Sequence, residues 1–388
     1  MSLRVGVPTF GTDAGRSGLS VYTRSLLHAL LESDPGLELE LIGLPRDIEP
    51  LRLPETSRVR VETAPAWTAG RAGDWFWHRR HLARWARQRE VDVVFFPAGN
   101  RRICALDPIP TVATIHDLGE LEIPEKYSRL RRLRVQHEIL PAIRDVTRRI
   151  TISEPSRAAI CEATGLQAEQ VDLIPNGVDA RFQPGDPRAA RGELAERYEL
   201  YRPFFLYVAR LEHPAKNHLN LLRAFAREGL AERYDLVLIG ADWPGCEVIY
   251  EAISELGLSR AVRRPGFVPD EDMPLFYQAA TALTFVSRFE GFGLPIVEAQ
   301  ASGCPLLVSS VEPMSSLAGD AGWRVDPACV ASIGAGLQAL SVDVVLREIL
   351  RERGLARAER WSWDRAARET LEVLRAAVGE RAALRLAG

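Results

Sequence analysis

The sequence predicts an α/β protein of two Rossmann-like halves, each a parallel sheet covered by helices on both faces. Three observations predict it. The chain has 388 residues and a mass of 43.1 kDa, about two to three times the ~150 residues of an ordinary domain. Short apolar runs alternate with stretches of helical periodicity, the pattern of parallel strands joined by crossover helices. The alternation stops once, near the middle, at a run of turn formers, and then begins again. Composition agrees: 46% of residues are apolar and 26% charged, enough for two cores and too few charges for wholesale disorder.

Leu3–Thr9 reads as a strand, Phe10–Ser17 as a glycine-rich loop and Gly18–Glu32 as a helix with Leu19, Tyr22, Leu26, Leu27 and Leu30 at helical spacing. Apolar runs at Leu37–Leu44, Val91–Phe96 and Thr111–Ile115 continue the series, with a helical stretch at Trp75–Arg89 and a short run at Arg149–Ser153. Val171–Ile174 is followed by Pro175-Asn176-Gly177-Val178-Asp179 and then Gln183-Pro184-Gly185-Asp186-Pro187, which marks a boundary. A first domain over 1–183 and a second over 184–360 are expected. In the second, strands are expected at Phe204–Ala209, Asp235–Ile239, Ala282–Val286 and Pro305–Ser309. Helices are expected at Leu219–Arg227, at Asp270–Ala280 with Asp270 as cap, and at Pro295–Ser302. A last helix, rich in Arg and Glu, occupies the tail from about 361 to 388. Ligands of such sheets sit beyond the carboxyl ends of the strands.

Charge excludes a general affinity for nucleic acid: 49 basic against 52 acidic residues give a net charge of −3 and a pI near 6.2. No apolar run approaches the ~18 to 20 residues that cross a bilayer, and the start shows no signal-type segment, so a cytoplasmic protein is expected. Five scattered cysteines, without a C-x-x-C pair, suggest neither a disulfide framework nor a zinc site. Of the 49 basic residues only Lys126 and Lys216 are Lys. A retained Lys therefore marks a place for a compact charge where a planar fork does not fit.

The most specific segment is Ser287-Arg288-Phe289-Glu290-Gly291-Phe292-Gly293-Leu294-Pro295-Ile296-Val297-Glu298. A strand ends, a glycine-rich turn follows, and Pro295 occupies a position in the first helical turn where a missing N–H costs nothing. Amides of Gly293 and Leu294 at that helix start suit a phosphate, while Glu290 and Glu298 suit the hydroxyls of a sugar and a ribose. In the loop after Phe204–Ala209, Arg210 and Lys216 flank Leu211-Glu212-His213-Pro214-Ala215 and could clamp a diphosphate, with Asn217 as a helix cap. His116-Asp117 follows another strand: the imidazole can bond a sugar hydroxyl or a backbone group, and Asp117 can fix its tautomer or cap the next turn. Gly15-Arg16-Ser17-Gly18 allows close backbone approach to a ligand but lacks the G-x-G-x-x-G spacing of a dehydrogenase.

This set of motifs, with I-P-N-G-V-D at 174–179 and E-G-F-G-L-P-I-V-E at 290–298, resembles the family 4 retaining glycosyltransferases of GT-B fold over nearly the whole chain. The resemblance implies two Rossmann-like domains facing across a cleft, with the C-terminal helix packed back on the first. It implies that Glu290 and His116 act at the transferred sugar, that Glu298 meets the ribose and that Arg210 and Lys216 hold the diphosphate. It also brings the loop Gly291, Phe292, Gly293 and Leu294 to the donor, Phe267 and Val268 to the base, and the Gly15 and Gly18 loop to the first-domain side. The leaving group would be stabilised without a metal, since no Asp-x-Asp motif is placed to hold one. The implied reaction moves a hexose, with GDP-mannose favoured, to a saccharide or lipid-linked saccharide in cell-surface polysaccharide synthesis. Other readings are a GT-B epimerase or phosphorylase, a transferase acting on a small natural product, and a non-catalytic nucleotide-sugar binder.

One stretch has two readings. Over 75–89 the sequence places Trp75, Leu82, Trp85 and Ala86 on one helical side and Arg80, Arg84 and Arg87 on the other. This suits a helix on its own sheet or one lying on the inner face of an anionic membrane. Between Arg71 and Arg149 there are 16 basic and 10 acidic residues, which would attract a lipid-diphosphate acceptor.

Overall fold

The computed structural model describes residues 2–15, 17–266 and 268–387, without the side chains at 71, 125, 382 and 384–387. The chain forms two units, Met1–Gly177 with Ser362–Gly388, and Val178–Trp361.

Seven parallel strands make the sheet of the first unit: β1 (Leu3–Pro8), β2 (Leu37–Gly43), β3 (Val59–Thr63), β4 (Val93–Phe96), β5 (Thr111–Ile115), β6 (Arg148–Thr151) and β7 (Asp172–Leu173). Their order is β3-β2-β1-β4-β5-β6-β7. Val5 of β1 pairs with Leu39 on one side and Val93 on the other, and the strand order reverses there, between β1 and β4. Every residue of β5 is buried, as a strand covered on both faces requires. The edge strand β3 escapes a hydropathy reading because it is Val-Arg-Val-Glu-Thr and half solvated; Arg60 reaches Glu40 of β2 at 2.7 Å.

Helix α1 (Gly18–Ser33) buries Leu26, Leu27 and Leu30. The C-terminal helix Trp363–Ala387 packs along it, burying Trp363, Ala366, Ala367, Leu371, Leu374 and Ala377 at helical spacing. The expected single helix over 75–89 is two, α2 (Arg71–Arg80) and α3 (Leu82–Gln88), broken at His81. The break changes the faces: Leu82, Trp85 and Ala86 are core residues, but Trp75 is 42% exposed and Phe76 46%, so Trp75 does not share their buried side. Trp77 does so instead.

The sheet of the second unit is also parallel. It comprises β8 (Phe204–Val208), β9 (Asp235–Ile239), β10 (Val262–Arg263), β11 (Ala282–Phe285), β12 (Leu306–Ser309) and β13 (Gly322–Val325), in the order β10-β9-β8-β11-β12-β13. The reversal falls between β8 and β11, where Phe205 pairs with Ala282. Three helices position the site: α4 (His218–Arg227), α5 (Met273–Ala279) and α6 (Leu294–Ala301). Helix α5 starts three residues after the expected Asp270, and Asp272 at its start does not cap it. That carboxylate is taken by Arg197 and by Tyr198, the latter at 2.5 Å.

The boundary lies after Gly177, not after the expected Gln183. Residues 178–183 are fastened to the second unit by Val178 N–H donating to the Trp361 carbonyl at 3.3 Å and by Gln278 donating to the Gln183 carbonyl at 2.8 Å. Within the first unit, the outgoing and returning chain touch at Gly177: a Cβ there would stand 2.1 Å from the Trp363 nitrogen. No single helix among the described residues is long and apolar enough to cross a bilayer.

Candidate active site

In the second unit the candidate side chains gather at the carboxyl ends of β8 and β11, the neighbouring strands at which the order reverses. The loop after β8 is held to the loop after β11 by backbone and buried side chains. The Arg288 amide donates to the Ala215 carbonyl at 2.8 Å. Asn217 takes a left-handed conformation, φ 58°, and its side-chain amide donates to the Val286 carbonyl at 3.0 Å and the Pro327 carbonyl at 2.7 Å. It stands at the cap position of α4 but its side chain does not cap, contrary to expectation. The buried Tyr207 hydroxyl donates to the Lys216 carbonyl and lies 3.1 Å from Ser287. Burial drives that phenol well above its ordinary pKa, so it stays a donor at any physiological pH.

Held this way, Lys216 meets Glu290. Its ammonium lies 2.8 and 2.7 Å from the two carboxylate oxygens, with 15% and 12% of the side chains exposed. Arg210 is held by two groups that the sequence did not single out. Its guanidinium is 3.2 Å from the buried carboxylate of Glu212 and 4.2 Å over the ring of Trp243. Glu212 lies within the quoted loop, and Trp243 follows β9, the strand beside β8; topology, not sequence distance, brings it near. Both expected diphosphate cations are therefore already matched by carboxylates, Lys216 by Glu290 and Arg210 by Glu212. Glu290, expected at the sugar, thus directly contacts Lys216, expected at the diphosphate.

Gly293 precedes α6 with φ 118°, a backbone region that glycine enters without strain, and Pro295 occupies the first turn as expected. Gly291 lies in the turn itself. The ring of Phe292 is buried and packs edge-on against Trp361 at 5.7 Å, so only its backbone can serve a ligand. Leu294 is the first helical residue. Val268 is buried; Phe267 lies outside the described residues.

Glu298 accepts a hydrogen bond from Tyr277 at 2.7 Å. Burial pushes its carboxyl up to about 7, Tyr277 and Arg181 pull it down, and Asp270 and Asp179 raise it further. It titrates near neutrality at the edge of an acidic group. Such shifts concentrate at functional sites. Sequence spacing located Glu298 but not Tyr277, Arg181 or Asp270, which arrive from other elements.

In the first unit His116 sits at the carboxyl end of β5, 5% exposed. Its Nε2 is 2.8 Å from the Pro97 carbonyl, and its ring packs edge-on to Tyr22 at 4.5 Å. Burial pulls the imidazole down to about 4, so the ring is neutral at pH 7, with Nε2 as donor and Nδ1 as acceptor. Of the two roles for Asp117, the turn cap is the one formed: its Oδ1 accepts from the Gly119 amide at 2.9 Å. Gly15 closes a short turn after β1 with φ 82°, and Gly18 is the first residue of α1.

The chain is similar to known proteins in both units. Residues 16–182 match the model described as Glycosyltransferase Family 4 and residues 195–357 that of Glycosyl transferases group 1. The O-antigen chain mannosyltransferase B of Escherichia coli is 30% identical over 263 residues, covering 67% of this chain and 68% of that protein. Sucrose-phosphate synthase from Thermosynechococcus elongatus superposes with a TM-score of 0.80 at 19% identity, covering 97% of this chain and all of that one. HepE of Anabaena, in complex with UDP and glucose, gives 0.74 at 20% identity over 96% of this chain and all of that one.

Proposed function

Because the chain belongs to the group 1 glycosyltransferases, family 4, with the two Rossmann-like units of the GT-B fold, we propose that this transferase moves a hexose, mannose first among candidates, from a nucleoside-diphosphate sugar. The acceptor is a saccharide or lipid-linked saccharide of a cell-surface polysaccharide. The observation that carries the reading is the quartet Arg210, Glu212, Lys216 and Glu290, two cations and two carboxylates at the strand ends of the second unit. Mannose is favoured by the E. coli relative, whose name also supports the polysaccharide role; the HepE complex with UDP and glucose supports a nucleoside-diphosphate donor.

Breaking the anomeric bond leaves charge on the diphosphate. Arg210 and Lys216, fixed before the reaction, stabilise that charge without reorganising, and no metal is needed in this reading. Glu290, oriented by two contacts to Lys216, accepts from sugar hydroxyls; Glu298, when ionised, accepts from the ribose. The neutral His116 can exchange a hydrogen bond with a sugar hydroxyl. With Glu290 committed to Lys216, it is poorly placed to serve as the base of an inverting displacement, and we expect retention. An exposed Trp75 and Phe76 beside basic residues suit peripheral contact with an anionic membrane.

The test is release of GDP from GDP-mannose, and of UDP from UDP-glucose, with and without acceptor and with EDTA present. Acceptor-dependent release that survives EDTA agrees with the proposal. Conversion of the donor sugar without acceptor identifies an epimerase, and a requirement for inorganic phosphate a phosphorylase. Proton NMR of the new linkage decides retention.

A further inference from the structure

The first unit contains a cavity of about 480 Å³ among α2, the loop after β4 and the helical segment near 134–145. That volume is typical of small-molecule sites, which run from about 300 to 1,000 Å³. Four arginines line it: Arg79, Arg80, Arg102 and Arg134. Two are paired, Arg102 with Asp74 and Arg134 with Glu138 at 2.8 Å. Arg79 and Arg80, on exposed turns of α2, have no carboxylate in ion-pair contact among the described residues. Arg79 is set by the Trp75 ring, 4.7 Å below its guanidinium, which leaves its in-plane N–H groups available. Between the charges the wall is apolar, with Trp75, Ile103 and Leu106.

Acids are present as well. Glu138 and Asp145 line the cavity, so its own charge is four positive against two negative, and Asp74 behind it reduces the excess further. Burial pulls the Arg102 guanidinium below its ordinary value, Asp74 and Glu138 raise it, and the like charge of Arg134 lowers it. A bound anion would relieve that repulsion.

We infer that this cavity binds a phosphate- or diphosphate-bearing molecule, with Arg79 and Arg80 as its donors and the Trp75, Ile103 and Leu106 wall receiving an apolar segment. Planar guanidinium forks suit phosphoryl oxygens, which they can hold bidentately. Resting on the transferase reading, the further statement is that the acceptor is the molecule held here, a sugar carried on a phosphoryl group. Two sources share this chemistry, a water-soluble sugar phosphate and a sugar on an isoprenoid diphosphate.

The probes are inorganic pyrophosphate and farnesyl diphosphate, titrated calorimetrically into the full chain saturated with GDP or UDP, whichever it binds. Expected is binding of pyrophosphate that weakens about tenfold or more in the Arg79→Ala, Arg80→Ala double variant. Affinity for the nucleotide should not change in that variant, since both arginines lie outside the second unit. Tighter binding of farnesyl diphosphate than of pyrophosphate, lost in Trp75→Ala, identifies the isoprenoid source; equal binding identifies the soluble one. No binding of either probe, or binding that survives the double variant unchanged, overturns the proposal. Failure of both nucleotides to bind counts against the transferase donor site alone; the cavity is then titrated without nucleotide.

Discussion

On the proposed reading Glu290 competes with the leaving diphosphate for Lys216, and removing its charge should tighten nucleotide binding while stopping transfer. In the free protein the Lys216 ammonium lies within 2.8 Å of both Glu290 oxygens, each side chain mostly buried. A diphosphate that recruits Lys216 must share it with a carboxylate and endure that carboxylate's repulsion. Two like charges about 6 Å apart repel by about 3 kcal/mol at an effective dielectric of about 20. Because Glu290 remains partly solvated and Lys216 still bridges the two, about 1 to 2 kcal/mol is the net effect. Glu290→Gln should therefore bind nucleoside diphosphate about 5- to 30-fold more tightly by titration calorimetry. Lys216→Ala should bind about 10- to 150-fold more weakly, the loss of one charged donor. In the Lys216→Ala background the gain from Glu290→Gln should be larger, because the ammonium that offsets the repulsion is gone, a coupling read from the double-mutant cycle. Unchanged or weaker nucleotide affinity in Glu290→Gln would refute the competition. Equal gains with and without Lys216 would mean that the ammonium does not bridge the carboxylate and the diphosphate.

Glu298→Gln should stabilise the protein at pH 8 and not at pH 4. A folded pKa near 7 against an ordinary 4.5 means the folded state binds the extra proton, so the wild type loses stability as pH rises from about 4.5 to 7, at most about 3 kcal/mol; melting curves across that range check it. His218 runs the other way: burial holds it down at about 3, so its contribution is lost as pH falls below about 6.5, and His218→Phe should flatten the acid side of the same curve. Asn217→Asp should cost about 2 to 4 kcal/mol in denaturant titration, because a carboxylate would replace the amide that donates to two carbonyls. His116 should stay neutral down to about pH 5 by NMR of its ring carbons, since burial lowers its pKa to about 4; protonation near 6.5 would remove it from a buried site.

The alternation of apolar runs was sufficient to find the inner strands, because a strand covered on both faces must be apolar throughout; β5 and β9 are buried at every position. The edges were not legible. Strand β3 carries Arg60 and Glu62, and β13 carries exposed Trp323 and Arg324, since an edge half in water has no reason to exclude polar side chains. At the site, spacing located Arg210, Lys216, Glu290 and Glu298 individually. Their pairing was invisible, because it depends on Asn217 and Arg288 joining loops about 70 residues apart in sequence. The break at His81 was missed for a similar reason: the 75–89 pattern is compatible with one helix, and only packing turns Trp75 outward while burying Trp77.

The first unit cannot be completed until the helix Trp363–Ala387 has been made. Its α1 ends at Ser33, and the helix that covers it begins at Trp363, 330 residues later. At the ~5 to 20 residues per second of ribosomal synthesis, that part of α1 waits roughly 15 to 65 seconds for its partner. The second unit, continuous from Val178 to Trp361, can finish first and leave the earlier-made one open. Newly made chains thus carry an uncovered apolar stripe while those residues are added, and the first unit becomes protected only when the helix that starts at Trp363 has emerged from the ribosome.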